Sequence, residues 1–133
     1  MCRGAVGNRG IHSVEDLEVY KRLFELTLKV HEFTLAFPRF ELFELGSQVR
    51  RSSNSAPANL AEGWGNRHPR LYLEGVTRAL GELRETRHHL RVAERKGYGN
   101  TGFVESLLRD YEECRLMLLG LQRSLIRHIE IGK

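Results

Sequence analysis

QVRRSSNSAPANLAEGWG, residues 48–65, is a run of small and polar residues interrupted by one proline, set in a chain whose other segments are strongly helical in pattern. Small side chains at helical spacing admit a second helix at close range. Polar groups among them must find hydrogen-bond partners or face water. Arg50, Arg51, Asn54, Asn59 and Glu62 lie close in sequence to Ser52, Ser53, Ala56 and Ala58, more than an ordinary core helix needs. The run therefore predicts a helix in tight contact with a neighbour, kinked near Pro57 because proline removes one backbone donor.

Working outward, the pattern predicts four amphipathic helices. The first covers 14–36, opens on a Ser13…Asp16 capping box and stops before Pro38, whose ring disfavours helix at Phe37. The second covers 40–64 and is terminated by Gly63 and Gly65. The third starts at Pro69, a favourable first-turn residue, and covers 69–96, ahead of Gly97 and Gly99. The fourth starts after Thr101 and covers 101–128, with Val104, Leu107, Tyr111, Cys114, Leu118, Leu121 and Leu125 as its core stripe. Short connections between four long helices predict an all-α, antiparallel up-down-up-down bundle over 13–129. Residues 1–12 and 130–133 are expected to be disordered tails.

The first helix carries two apolar stripes. Val19, Leu23, Leu26, Val30, Phe33 and Phe37 alternate at spacings of four and three. Leu17, Tyr20, Phe24, Leu28 and Leu35 form a second stripe, roughly 145° away at about 100° per residue. A helix packed only within its own bundle needs one such face. The second is either a broad inner face with a few exposed residues or a subunit interface, with Leu26 and Phe33 as its test positions.

At 133 residues, 41% hydrophobic and 29% charged, the chain reads as one ordinary globular domain with room for a real core. No apolar stretch approaches a bilayer's thickness and residues 1–12 lack a signal peptide's hydrophobic centre, so no membrane is expected and the cytoplasm is the default. Cys2 and Cys114 make neither a disulfide framework nor a zinc motif. A formal charge of +4 is compatible with nucleic acid without requiring it.

Arg84, Arg87, His88, Arg91 and Arg95 share one face of the third helix, with Arg67, His68 and Arg70 just before it. Cations in such a row suit a phosphate backbone, because each contact releases counterions. The same row is equally a solvated face paired with Glu82, Glu85 and Glu94. Trp64 and Tyr72 are the only aromatics nearby, which favours recognition by backbone and shape over base stacking. Arg51, Asn59 and Glu62 are expected to be structural, tying the second helix to a neighbouring helix or subunit. A catalytic Ser55–Glu62 pair lacks an activating histidine and an oxyanion donor. Glu85 and His88 match one E-x-x-H of a di-iron bundle, but no second copy exists and neighbouring arginines repel metal. No enzyme activity, metal or cofactor is expected.

The order R-R-S-x-x-S-x-P-A-N-L-A-E-G from Arg50 to Gly63 resembles the signature of the four-helix bundle proteins encoded within 23S rRNA intervening sequences, a bacterial family. Asp16–Tyr20, Phe37-Pro38 with Glu41–Leu45, Arg78–Leu83 and Gly97-Tyr98 resemble its other motifs, in order, over about residues 14–127. The resemblance implies a ring-shaped homo-oligomer, a pentamer, with no enzymatic role. Related bundles serve diversity-generating retroelements, where a basic pentamer contacts a reverse transcriptase and RNA. By analogy the expected function is a nucleic-acid-binding accessory protein for RNA or DNA. The alternative is a scaffold that binds a protein such as a reverse transcriptase without touching nucleic acid.

Overall fold

The computed structural model describes residues 12–66 and 68–132, apart from the side chain of Asn66. Four α-helices and two short 3-10 turns account for nearly all of them, with no strand among the described residues: α1 Glu18–Thr34, α2 Leu45–Asn66, α3 Pro69–Arg95 and α4 Thr101–Ile131. Each helix packs on the next, and α1 also meets α4. One continuous core results, with Leu23, Val30, Leu60, Val76, Leu83, Leu90, Leu107 and Leu118 sealed from solvent. Residues 1–11 of the expected N-terminal tail lie outside the described residues. At the other end α4 continues past 129 to Ile131.

The helix starts differ from the sequence expectation for local reasons. The Asp16 carboxylate accepts from the backbone N–H groups of His12 at 2.7 Å and Ser13 at 3.1 Å. Those two donors hold its carboxyl below the usual range. This closes a 3-10 turn over Val14–Asp16, and Leu17 then turns extended before α1 begins at Glu18. After Pro38 a second 3-10 turn, Arg39–Glu41, delays α2 to Leu45. Pro69 occupies the first turn of α3 as expected, and the Asn100 side chain, not singled out in the sequence, accepts from the Phe103 N–H ahead of α4.

α2 runs through Pro57 as one helix. Proline at 57 cannot donate to the carbonyl of residue 53, four positions back. That Ser53 carbonyl instead accepts from the Thr27 hydroxyl of α1 at 2.7 Å, at a buried position. The proline and the threonine are thus two halves of one α1–α2 contact.

Gly63 does not end α2. It lies inside the helix, against Gly75 of α3: a Cβ on Gly63 would meet the Gly75 Cα at 2.9 Å, and a Cβ on Gly75 would meet the Asn59 carbonyl oxygen at 2.7 Å. The two backbones touch here, which the small-residue run foretold and the assignment of Gly63 as a terminator missed. About three turns away along both helices, the Ser52 and Thr86 hydroxyls share a buried 2.7 Å hydrogen bond across the same boundary.

One end of the bundle is locked through Glu41, which is only 4% exposed. Its carboxylate accepts from Lys96 Nζ at 2.9 Å and from the Tyr98 hydroxyl at 2.8 Å, joining the α1–α2 and α3–α4 connections. Gly99, at φ +75°, fits beneath because a side chain there would strike the Phe33 ring. The Lys96 ammonium, and then the Tyr98 hydroxyl, hold the Glu41 carboxyl below its ordinary value of 4.5. A carboxyl depressed by folding contributes stability above its unfolded value and loses it as pH falls through the folded one. Glu41→Gln is therefore expected to flatten the loss of melting temperature below about pH 4.5 relative to the parent. Superimposable acid limbs for the two proteins would refute the assignment.

Candidate nucleic-acid interface

The signature segment is a set of ties. Arg50 Nη1 donates to Thr34 Oγ1 at 3.0 Å and Nη2 to the Leu42 carbonyl at 2.7 Å, clamping the end of α1 to the turn before α2. Arg51 reaches α3, pairing with Glu85 at 2.7 Å and Glu82 at 3.4 Å. The Arg51 guanidinium holds the Glu85 carboxyl below the carboxylate range, aided by His89, whose ring donates to Glu85 at 3.1 Å. Glu85 thus faces Arg51 and His89, and no group of three or more His, Cys, Asp or Glu side chains forms a metal cluster among the described residues. Asn59 donates to the Ser55 carbonyl of its own helix at 2.8 Å instead of reaching a neighbour. With exposed Glu62, it lines a cleft of about 160 Å³ shared with Glu74 and Arg78, beside the glycine crossing.

The α3 arginine row divides in two. Arg87 donates to Glu112 of α4 at 2.9 Å, and Arg91 to Glu105 of α4 and to Glu94, each at 2.9 Å. The Arg115 guanidinium and then the charge of Arg87 hold the Glu112 carboxyl low. These two arginines are interhelix ties. Arg84 and Arg95 are exposed and make no side-chain hydrogen bond or ion pair among the described residues. Arg70 is also exposed, in the first turn of α3 beside His68, whose ring accepts from its backbone N–H. Arg67 lies outside the described residues. Trp64 and Tyr72 are buried at 6% and 5% exposure, so neither ring is available for base stacking.

Leu26 and Phe33, the α1 positions expected at an interface, are 2% and 6% exposed and sit in the core of the bundle. The second stripe is the open one: Phe24, Leu28 and Leu35 are 46%, 53% and 76% exposed. Sequence reasoning also missed Phe40 and Phe43, at 71% and 81%, because it placed them inside the second helix. The signal was present in F-P-R-F-E-L-F, where apolar residues follow a helix-stopping proline without a helical stripe to join.

Burial raises the Cys114 thiol to about 11, so at neutral pH it is a packed, uncharged side chain. No helix among the described residues is long and apolar enough to cross a membrane. A search of curated proteins finds no match to this chain. The model of the 23S rRNA-intervening sequence protein family does match it, over residues 15–120, a span that includes the Arg50–Gly63 signature and reaches into all four helices, and the chain belongs to that family.

Proposed function

We infer that this protein is a non-enzymatic accessory factor that assembles with copies of itself and binds nucleic acid, RNA foremost, through the open part of its arginine surface. An antiparallel up-down-up-down course is supported by the helix pairings, since Thr27 meets Ser53 and Thr34 meets Arg50, Ser52 meets Thr86 and Gly63 meets Gly75, and Arg91 meets Glu105 and Thr77 meets Gln122. Self-association is supported by the uncovered α1 stripe, which is costly to leave in water. Five subunits in a ring is the assembly that the family resemblance suggests.

The observation that carries the nucleic-acid reading is the pair Arg84 and Arg95, exposed on α3 with no carboxylate in hydrogen-bond contact among the described residues, Arg95 acting on Glu94 only through its charge. A guanidinium not engaged by a carboxylate keeps its donors for phosphate oxygens. Arg70 adds a further cation, and repetition around an oligomer multiplies the field.

The test is binding of a labelled RNA by nuclease-treated protein across a salt series. Affinity should fall steeply with salt, and R84E/R95E should weaken it about tenfold or more, since each lost phosphate contact reduces both affinity and salt slope. Melting should change little, because neither arginine makes a hydrogen-bonded ion pair. Arg87 and Arg91 are unsuitable for this test, as reversing them breaks the α3–α4 ties. Absence of binding at low salt by an intact oligomer would move the reading to a protein partner, such as a reverse transcriptase.

A further inference from the structure

The exposed aromatics Phe40 and Phe43 stand on an unusually well-held turn. Glu41 between them is fixed by Lys96 and Tyr98, and Leu42 by Arg50. Rings presented from a preorganised backbone lose little freedom on binding, the quality expected of an anchoring contact. Near the other end of α1 lies an open cleft of about 390 Å³, lined by Tyr20, Phe24, Lys21, Glu15 and Glu25. Tyr20 and Phe24 form a tilted ring pair with centroids 6.1 Å apart, leaving an aromatic floor.

We propose that the Phe40–Phe43 turn of one subunit docks into the Tyr20–Phe24 cleft of the next. This rests on the self-association inferred above and names its two complementary surfaces. Three observations support it. The cleft has room for a phenyl ring and is floored by groups that rings stack on. Each surface offers charges for the other: Arg39 and Glu44 flank the turn, while Glu15, Glu25 and Lys21 rim the cleft. None of these five side chains makes a hydrogen bond or ion pair shorter than 4 Å among the described residues. Finally, Tyr20 and Phe24 lie 14 and 10 residues before the end of α1 at Thr34, about 21 and 15 Å of helix away from the turn that follows it. That separation places the contact between two copies, and where each turn enters the cleft of a different neighbour it is head-to-tail, the kind that closes into a ring when the rotation allows.

The experiment measures molar mass by light scattering for the full chain and for two variants, F40D/F43D and F24D, with circular dichroism melts to establish that both remain folded. The expected result is an oligomer for the parent and monomers for the variants. An equimolar mixture of the two should yield a heterodimer, because one variant keeps an intact cleft and the other an intact turn. F40D/F43D at full parental mass, with F24D monomeric, would overturn the head-to-tail contact and leave self-association through α1 standing. Two monomeric variants that fail to combine would likewise overturn it. A monomeric parent would overturn self-association itself, and this proposal with it.

Discussion

Gly75→Ala is expected to lower the melting temperature by about 10 °C, corresponding to roughly 3 kcal/mol at the upper end of ordinary overpacking. The added methyl would stand 2.7 Å from the Asn59 carbonyl oxygen and 2.9 Å from the Gly63 Cα. Both obstacles are backbone, so no side-chain rotation relieves them and the two helices must separate. Separation would also loosen the Ser52–Thr86 hydrogen bond and the Arg51 pairs with Glu82 and Glu85, which cross the same boundary. Gly81→Ala on the same helix is the control. Its Cβ meets nothing within 4 Å, and alanine is the better helix former there. If thermal melts show equal effects at 75 and 81, the close crossing is not what glycine serves.

The second large effect is predicted for Thr27→Val, at about 2 kcal/mol. Valine keeps the shape but removes the hydrogen that reaches the Ser53 carbonyl, leaving a buried acceptor without its donor. The hydroxyl also lies 2.9 Å from the Leu23 carbonyl, but that group sits in an unbroken part of its own helical ladder. The proline supplies an internal check. Pro57→Ala restores an N–H to donate to Ser53, so Thr27→Val should cost less in that background. A coupling of about 1 kcal/mol from chemical denaturation of the four proteins in the cycle is the expected value. Strict additivity would show that threonine does not stand in for the missing donor.

How much of this was legible in sequence differs by element. The order and number of helices followed from apolar stripes and from Pro38, Pro69, Gly97 and Gly99, whose effects act within a few residues and so can be read locally. The same holds for Asp16, although its two backbone bonds close a separate turn instead of opening α1. What escaped was relative rotation and register. Both stripes of α1 were visible, yet only packing shows that Leu26 and Phe33 turn inward while Phe24 and Leu28 stay open. Arg87 and Arg91 looked equivalent to Arg84 and Arg95 because their partners, Glu112 and Glu105, lie on another helix whose register no local pattern encodes. Gly63 carried a terminator's identity and a crossing residue's job; the two are told apart only by Gly75 opposite.

The bundle's internal boundaries are uneven: α2 and α3 share the most extensive contact, and α1 and α4 the slightest of the helix pairs. Regions held by fewer contacts open at lower free energy than the molecule unfolds. The α1–α4 seam, tied across by Arg22 and Glu113, is thus where transient opening is expected before the α2–α3 hairpin gives way. Cys114, fully buried and within electrostatic reach of Arg22, lies along that seam. A thiol that reacts only when exposed turns this residue into a clock for the seam, ticking at the opening rate and not at the rate of global unfolding.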